Sequence, residues 1–139
     1  SPEPSSSTIS KVMSSNKAKD TKPELKLRKA LWKEGLKGYR LNWKHVPGRP
    51  DIAFVGKKIA IFVHGCYWHR CPECNLPLPK SNTKFWKEKF ERNQERDNSK
   101  IAELIRLGWQ DPYIAWECDI NKNLDQIVED IKFYNGITK

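Results

Sequence analysis

Residues 64–74, HGCYWHRCPEC, hold two of the three histidines and three of the four cysteines of this chain. The cysteines run Cys66-x4-Cys71-x2-Cys74, and Cys118 follows after 43 intervening residues. A C-x2-C pair on a short turn aims two thiolates at one ion, and zinc held by four thiolates is tetrahedral, closed and structural. Three cysteines within nine residues of a loop fit that chemistry better than four packed, reduced thiols do. His69 is the alternative zinc ligand, but four cysteines leave it no vacancy. A closed zinc has no open position for substrate, so any reaction must be carried by other residues.

A second set of residues supplies them. Asp51, in PGRPD, stands at the start of an apolar segment, and the next apolar segment ends in Val63 and His64. On adjacent hairpin strands Asp51 comes near the backbone of Val63 and near His64. A carboxylate, a strand carbonyl and a nearby histidine suit a hard, oxygen-liking ion such as Mg²⁺ working against phosphate. His69 lies five residues beyond His64 and can accept a proton from attacking water as a neutral imidazole. Glu24 is the candidate to orient that imidazole through its other ring nitrogen. Each residue also has a plainer reading. Asp51 follows a proline and suits a turn; Glu24 with Thr21 forms an S/T-x-x-E capping box; His64 suits a strand end. Tyr67 and Trp68 lie between Cys66 and His69. Successive loop residues cannot all turn inward, so at least one ring is expected at the surface, as a wedge into a duplex or as a cover over the zinc. Taken together, the set points to metal-assisted hydrolysis of a phosphodiester.

The elements that must position these residues follow from periodicity and turn signals. Thr21 caps a helix that Gly35 can end. YRLNWKHV reads as a short strand. DIAFV and IAIFV form a hairpin across GKK, and residues 65–82 form a loop. TKFWKEKFERNQERDNSKIAELIRLG is helical, with a break expected near Asp97–Ser99. YIAWE is a strand whose start, after Pro112, belongs at an edge or bulge. Leu124, Ile127, Val128, Ile131 and Tyr134 trace one face of a last helix. The order predicts an α/β fold, a mixed central sheet flanked by helices. The chain has 139 residues, which suits one domain, and a formal charge of +9. Residues 1–49 carry twelve basic and four acidic side chains, so most of the excess lies there. That balance, with six tryptophans, points to a polyanionic partner, nucleic acid first. Residues 1–19 read as a disordered basic arm or linker, and 20–139 as the folded domain. No apolar run approaches the roughly 20 residues that span a bilayer, and the N-terminal stretch lacks a secretory core. The expectation is a cytoplasmic protein with no membrane partner and reduced thiols.

KDTKPE, VPGRPD, IFVHGCYWHRCPEC, FWKEKFERNQERD, LGW and WEC occur here in that order. Together, from about Met13 to Cys118, they resemble the Vsr family, the very short patch repair endonucleases. The resemblance implies a restriction-endonuclease-like core with a structural zinc. It implies a monomer that nicks double-stranded DNA 5′ to the thymine of a T:G mismatch, left when 5-methylcytosine deaminates. It implies a functional link to a DNA cytosine methyltransferase and to mismatch repair proteins. By position, Asp51 and the Val63 carbonyl match the Mg²⁺ site, His64 a histidine near the scissile phosphate, His69 the general base and Glu24 its carboxylate partner. Cys66, Cys71, Cys74 and Cys118 match the Zn²⁺ ligands. Met13, Tyr67 and Trp68 match residues that wedge into DNA, and Lys89 and Asn93, four apart on one helix face, match residues facing the mismatch. Val63 stands where a threonine can occur, and Cys71 where a histidine ligand can occur. The alternatives are a restriction or defence nuclease on the same fold with another target, and a zinc-stabilised DNA-binding module that does not cut.

Overall fold

A computed structural model of the chain describes residues 21–136. The N-terminal arm and Met13 lie outside the described residues. Helix α1, Lys22–Lys33, begins after Thr21, whose backbone N–H and Oγ1 both donate to Glu24 Oε1 at 3.3 and 3.1 Å. It ends where Gly35 takes φ +85°, with Gly35 N–H donating to the Trp32 carbonyl and Leu36 N–H to that of Leu31. This is the paired closure that glycine permits just beyond a helix.

Four strands form one sheet in the order β1-β2-β3-β4. They are β1 (Arg40–Leu41), β2 (Ile52–Phe54), β3 (Ile59–His64) and β4 (Tyr113–Trp116). The β1–β2 and β2–β3 pairs are antiparallel, and β3–β4 is parallel. A short 3-10 turn, Val55–Lys57, and a left-handed Lys58 join β2 to β3, in place of the simple GKK turn. The strand expected over YRLNWKHV shrinks to two residues because Asn42 turns to φ +47°. Pro112 immediately precedes β4, which is an edge strand of this sheet.

Helix α2, Thr83–Arg106, crosses between the two parallel strands. The sequence reading placed a break near Asp97–Ser99, and there is none. Asp, Asn and Ser favour caps and turns, but Phe90 and Leu104 are buried on either side of that stretch and hold one continuous helix. Glu117 does not extend β4; it opens α3, Glu117–Lys122, and α4 follows over Leu124–Tyr134.

Alternation along the strands sends side chains to two cores. Ile52, Phe54, Ile59, Ile61 and Ala115 pack with Leu27 and Leu31 of α1, Ile120 of α3 and Ile127, Val128 and Ile131 of α4. Ala53, Ala60 and Phe62 face the other way, toward Leu104 of α2 and Trp109. The sheet is thus covered on both faces, which is why β2 and β3 read as unbroken apolar runs. No helix among the described residues is long and apolar enough to cross a membrane.

Candidate functional site

The topology collects the chemistry at one end of the sheet. Asp51 lies just before β2, His64 closes β3, and the parallel β4 ends beside it, with His64 paired to Trp116. Two residues past each strand end stand Cys66 and Cys118. The register therefore delivers two of the four thiols to one place, and the Cys71–Cys74 turn brings the other two. All four sulfurs lie within 4.8 Å of one another, and Cys71 Sγ is 3.8 Å from Cys118 Sγ. Four thiolates about 2.3 Å from one zinc sit about 3.8 Å apart, so the cluster fits a tetrahedral ion. Cys66 and Cys71 are buried, at 6% and 2% exposure. Burial pushes the Cys66 thiol well above its ordinary range; a bound metal would hold it deprotonated. The Cys118 N–H donates to Cys66 Sγ, and the Cys66 N–H donates to Glu117 Oε1, each at 3.3 Å. Strand β4 and the loop are tied together even before any ion is considered.

The second constellation lies beside this cluster. Asp51 Oδ2 accepts a 2.6 Å hydrogen bond from the Val63 N–H across the β2–β3 hairpin. Burial raises the Asp51 carboxyl from 3.8 to about 7, opposed by that hydrogen bond. A partly desolvated carboxylate of this kind is one that a cation would restore to its charged form. The rings of His64 and His69 stack in parallel, 3.8 Å between centroids and 7° between planes. Burial, with the neighbouring His69, lowers His64 to about 4. A neutral His64 lets the stacked pair exist at neutral pH without two adjacent positive charges.

The carboxylate on His69 is Asp97, with Oδ2 2.7 Å from His69 Nδ1. Here the sequence reading is corrected. Glu24 is buried at 3% exposure, and its carboxylate receives Thr21 and the guanidinium of Arg28 (Nη2 to Oε2, 3.2 Å) rather than His69. With Nδ1 engaged by Asp97, the Nε2 of His69 is left as the proton acceptor. Sequence reasoning missed Asp97 because the helix was expected to break there. It is nevertheless four residues beyond Asn93 and eight beyond Lys89, on the same face.

One open cleft of about 990 Å³ gathers the predicted residues other than the four cysteines and Met13. Its walls include Glu24, Asp51, Val63, His64, His69, Tyr67, Trp68, Lys89 and Asn93, together with Asp97. The four cysteines are not among its walls. Tyr67 and Trp68 meet edge to face at 5.1 Å between centroids, and both rest on buried Phe90. Both are only partly buried and reach the cleft, so neither ring is a full core residue. The arrangement can hold a cation at an isolated carboxylate, accept a proton at an oriented imidazole and present aromatic faces alongside.

Comparison with known proteins gives a consistent picture. A family model described as DNA mismatch endonuclease Vsr matches residues 5–76, reaching into the N-terminal segment. The chain is 39% identical to the Type II nicking enzyme V.NmeAIP of Neisseria meningitidis, over 87% of this chain and 89% of that protein. It is 40% identical to the Type II nicking enzyme V.HpaIIP of Haemophilus parainfluenzae, over 87% and 85%. The DNA mismatch endonuclease Vsr of Escherichia coli is 39% identical, over 80% of this chain and 70% of its own length.

Proposed function

Because this chain belongs to the Vsr family, we propose that it is a DNA endonuclease that nicks one strand of a duplex at a T:G mismatch, in repair of deaminated 5-methylcytosine. The observation that carries this reading is the single cleft in which Asp51 and the His69–Asp97 pair lie beside the partly exposed Tyr67 and Trp68. Asp51 and the Val63 carbonyl would hold Mg²⁺ on the restriction-endonuclease-like core; the ion supplies Lewis-acid stabilisation of charge on the scissile phosphate. His69 takes the proton of the attacking water at Nε2, Asp97 fixes its tautomer, and neutral His64 borders the phosphate. Lys89 and Asn93 face the mismatch from α2, and Met13 joins the two aromatics as a wedge. The enzyme works as a cytoplasmic monomer, downstream of a DNA cytosine methyltransferase and alongside mismatch repair proteins.

The direct test is incubation with Mg²⁺ of matched, T:G and otherwise mismatched duplexes across varied flanking sequences. A nick confined to the thymine strand of T:G duplexes is expected. Two of the relatives named above are Type II nicking enzymes, which motivates a second reading, a nuclease whose target is a matched site. Equal cutting of matched duplexes would establish that second reading. Binding without cutting would establish a non-catalytic module.

Two substitutions probe the residues in their roles. His69→Ala is expected to cost about 10²–10⁴ in the single-turnover rate. Asp97→Asn keeps the shape but not the charge on Nδ1, and is expected to lose at least about 10² and displace the pH–rate profile. Glu24→Gln should leave that profile in place; an equal displacement would return the orienting role to Glu24.

Trp68→Ala is expected to reduce discrimination between T:G and matched DNA more than it reduces charge-driven binding. Inserting a ring unstacks a base step at a cost of a few kcal/mol, and an already weakened pair costs less. Fluorescence of 2-aminopurine placed beside the mismatch reports the unstacking. Full discrimination and an unchanged signal in both Trp68→Ala and Tyr67→Ala would assign these rings to packing.

A further inference from the structure

The cleft carries cations that the hydrolytic chemistry does not use. Lys89, Asn93, Arg96 and Lys100 all line it from α2. Their spacing of four, three and four residues places them in one stripe along the helix. Arg96 and Lys100 bracket Asp97, the residue that holds His69. The opposite wall brings Arg49 to the same place. Gly48 has φ +83°, and a Cβ there would stand 3.0 Å from the Phe62 ring and 3.3 Å from Lys100 Cβ. Only glycine lets the PGRP turn lie this close to α2 at Lys100. Arg49 itself sits at φ +47°, the left-handed region that non-glycine residues seldom occupy. Such strain concentrates where a side chain must be aimed.

No carboxylate within ion-pair distance compensates Arg49, Arg96 or Lys100 among the described residues. The acids sharing the cleft are engaged elsewhere: Asp97 with His69, Glu24 with Arg28, Asp51 with the Val63 N–H and Glu117 with the Cys66 N–H. The outer side of α2 differs. Its exposed Lys87, Glu88, Glu91, Arg92 and Glu95 mix both signs, as an ordinary solvated face does. Lys100, by contrast, is partly buried against the turn.

We propose that Arg49, Arg96 and Lys100 form a phosphate-holding subsite that grips the DNA backbone next to the phosphate being cleaved. This inference rests on the reading of the cleft as a DNA nuclease site. Lys100 lies three residues, about 4.5 Å of helix rise, beyond Asp97. It therefore meets a neighbouring phosphate rather than the reacting one. From Lys89 to Lys100 the stripe runs about 16 Å, long enough to follow more than one phosphate of a strand. The two guanidinium groups suit bidentate contact with phosphate oxygens, and the lysine supplies a point charge.

The test uses Lys100→Gln and Arg49→Gln, which keep the side-chain length and remove one charge each, with Lys100→Arg as the conservative variant and Lys87→Gln as a control on the outer face. Binding to a T:G duplex is measured across a salt series, and nicking across DNA concentration. Each Gln variant should flatten the slope of log affinity against log salt by about 0.9 and raise KM several-fold. The ratio of T:G to matched binding should stay unchanged. Lys100→Arg should restore the slope, and Lys87→Gln should not alter it. If the wild type binds and nicks but both Gln variants keep its slope and KM, the subsite is overturned and the nuclease reading stands. If the wild type neither binds nor nicks any duplex, the nuclease reading falls and the subsite falls with it.

Discussion

Asp51→Asn is expected to abolish nicking and, at pH 8, to make the protein more stable than the wild type. The two effects share one cause. Burial raises the carboxyl from 3.8 to about 7, so the folded state holds a proton that the unfolded state has released. The stabilising contribution of this group is complete below 3.8 and is lost as pH rises to about 7. Above that, the folded wild type carries a charge it would rather not bury. The interval corresponds to about 4 kcal/mol. Asp51 is only partly buried and solvent screens it, so about 2 kcal/mol is the expected gain at pH 8. Asparagine carries no charge, has almost the same volume and can still accept the Val63 N–H. Urea denaturation of both proteins from pH 3.5 to pH 8 checks this. The curves should meet at the acid end and separate as pH rises. His64, lowered to about 4, favours the fold increasingly as pH rises from 4 to 6.5. It does so in both proteins and cancels from the difference. Mg²⁺ should narrow the gap at pH 8 by stabilising only the wild type. Coincident stabilities across the range would show that the carboxylate is not held out of water. Undiminished nicking by Asp51→Asn would place the metal elsewhere.

Removal of the zinc that the four cysteines would hold is expected to have a still larger effect on the fold. Between Gly65 and Asn82 the chain has no helix or strand, and only Cys66 and Cys71 are buried. The stretch has almost no apolar core of its own, so packing alone cannot hold it. Structural zinc contributes on the order of 10 kcal/mol, comparable to the whole stability of a domain. Cys71→Ser leaves three thiolates and a poorer oxygen donor at the most buried ligand position. One equivalent of zinc should co-purify with the protein, and chelation or Cys71→Ser should bring a large fall in the melting temperature. A folded, active preparation without zinc would sink the assignment.

How far the site could be read from sequence depends on how local each part is. The cysteine cluster was legible because ligand spacing is a local signal; only its closure through Cys118 needed the strands. The parallel register of β3 and β4 supplied that closure. Asp51 and Val63 were legible because two apolar runs across a short turn can pair in only a few ways, and the pairing fixes which residues meet. The partner of His69 was not legible in the same way. Asp97 is 28 residues away, and Asp-Asn-Ser looks like a helix end unless the burial of Phe90 and Leu104 is known. Glu24 was correctly placed at the helix start, and its capping interaction left it turned toward Thr21 and Arg28. The brevity of β1 is not legible in the sequence because a single left-handed Asn42 decides it.

The same parallel pairing has a consequence for the protein as it is made. Strand β3 carries His64 and lies inside the sheet only once β4 has docked along it, and the fourth sulfur arrives two residues after β4. A chain that has not grown to residue 113 lacks both. Its β3 is an open edge, and its loop is held by three cysteines at most. Pairings this distant in sequence form late, after the cost of closing the intervening chain has been met. The loop that carries Cys66, Cys71 and Cys74 is therefore set in place at the end of folding.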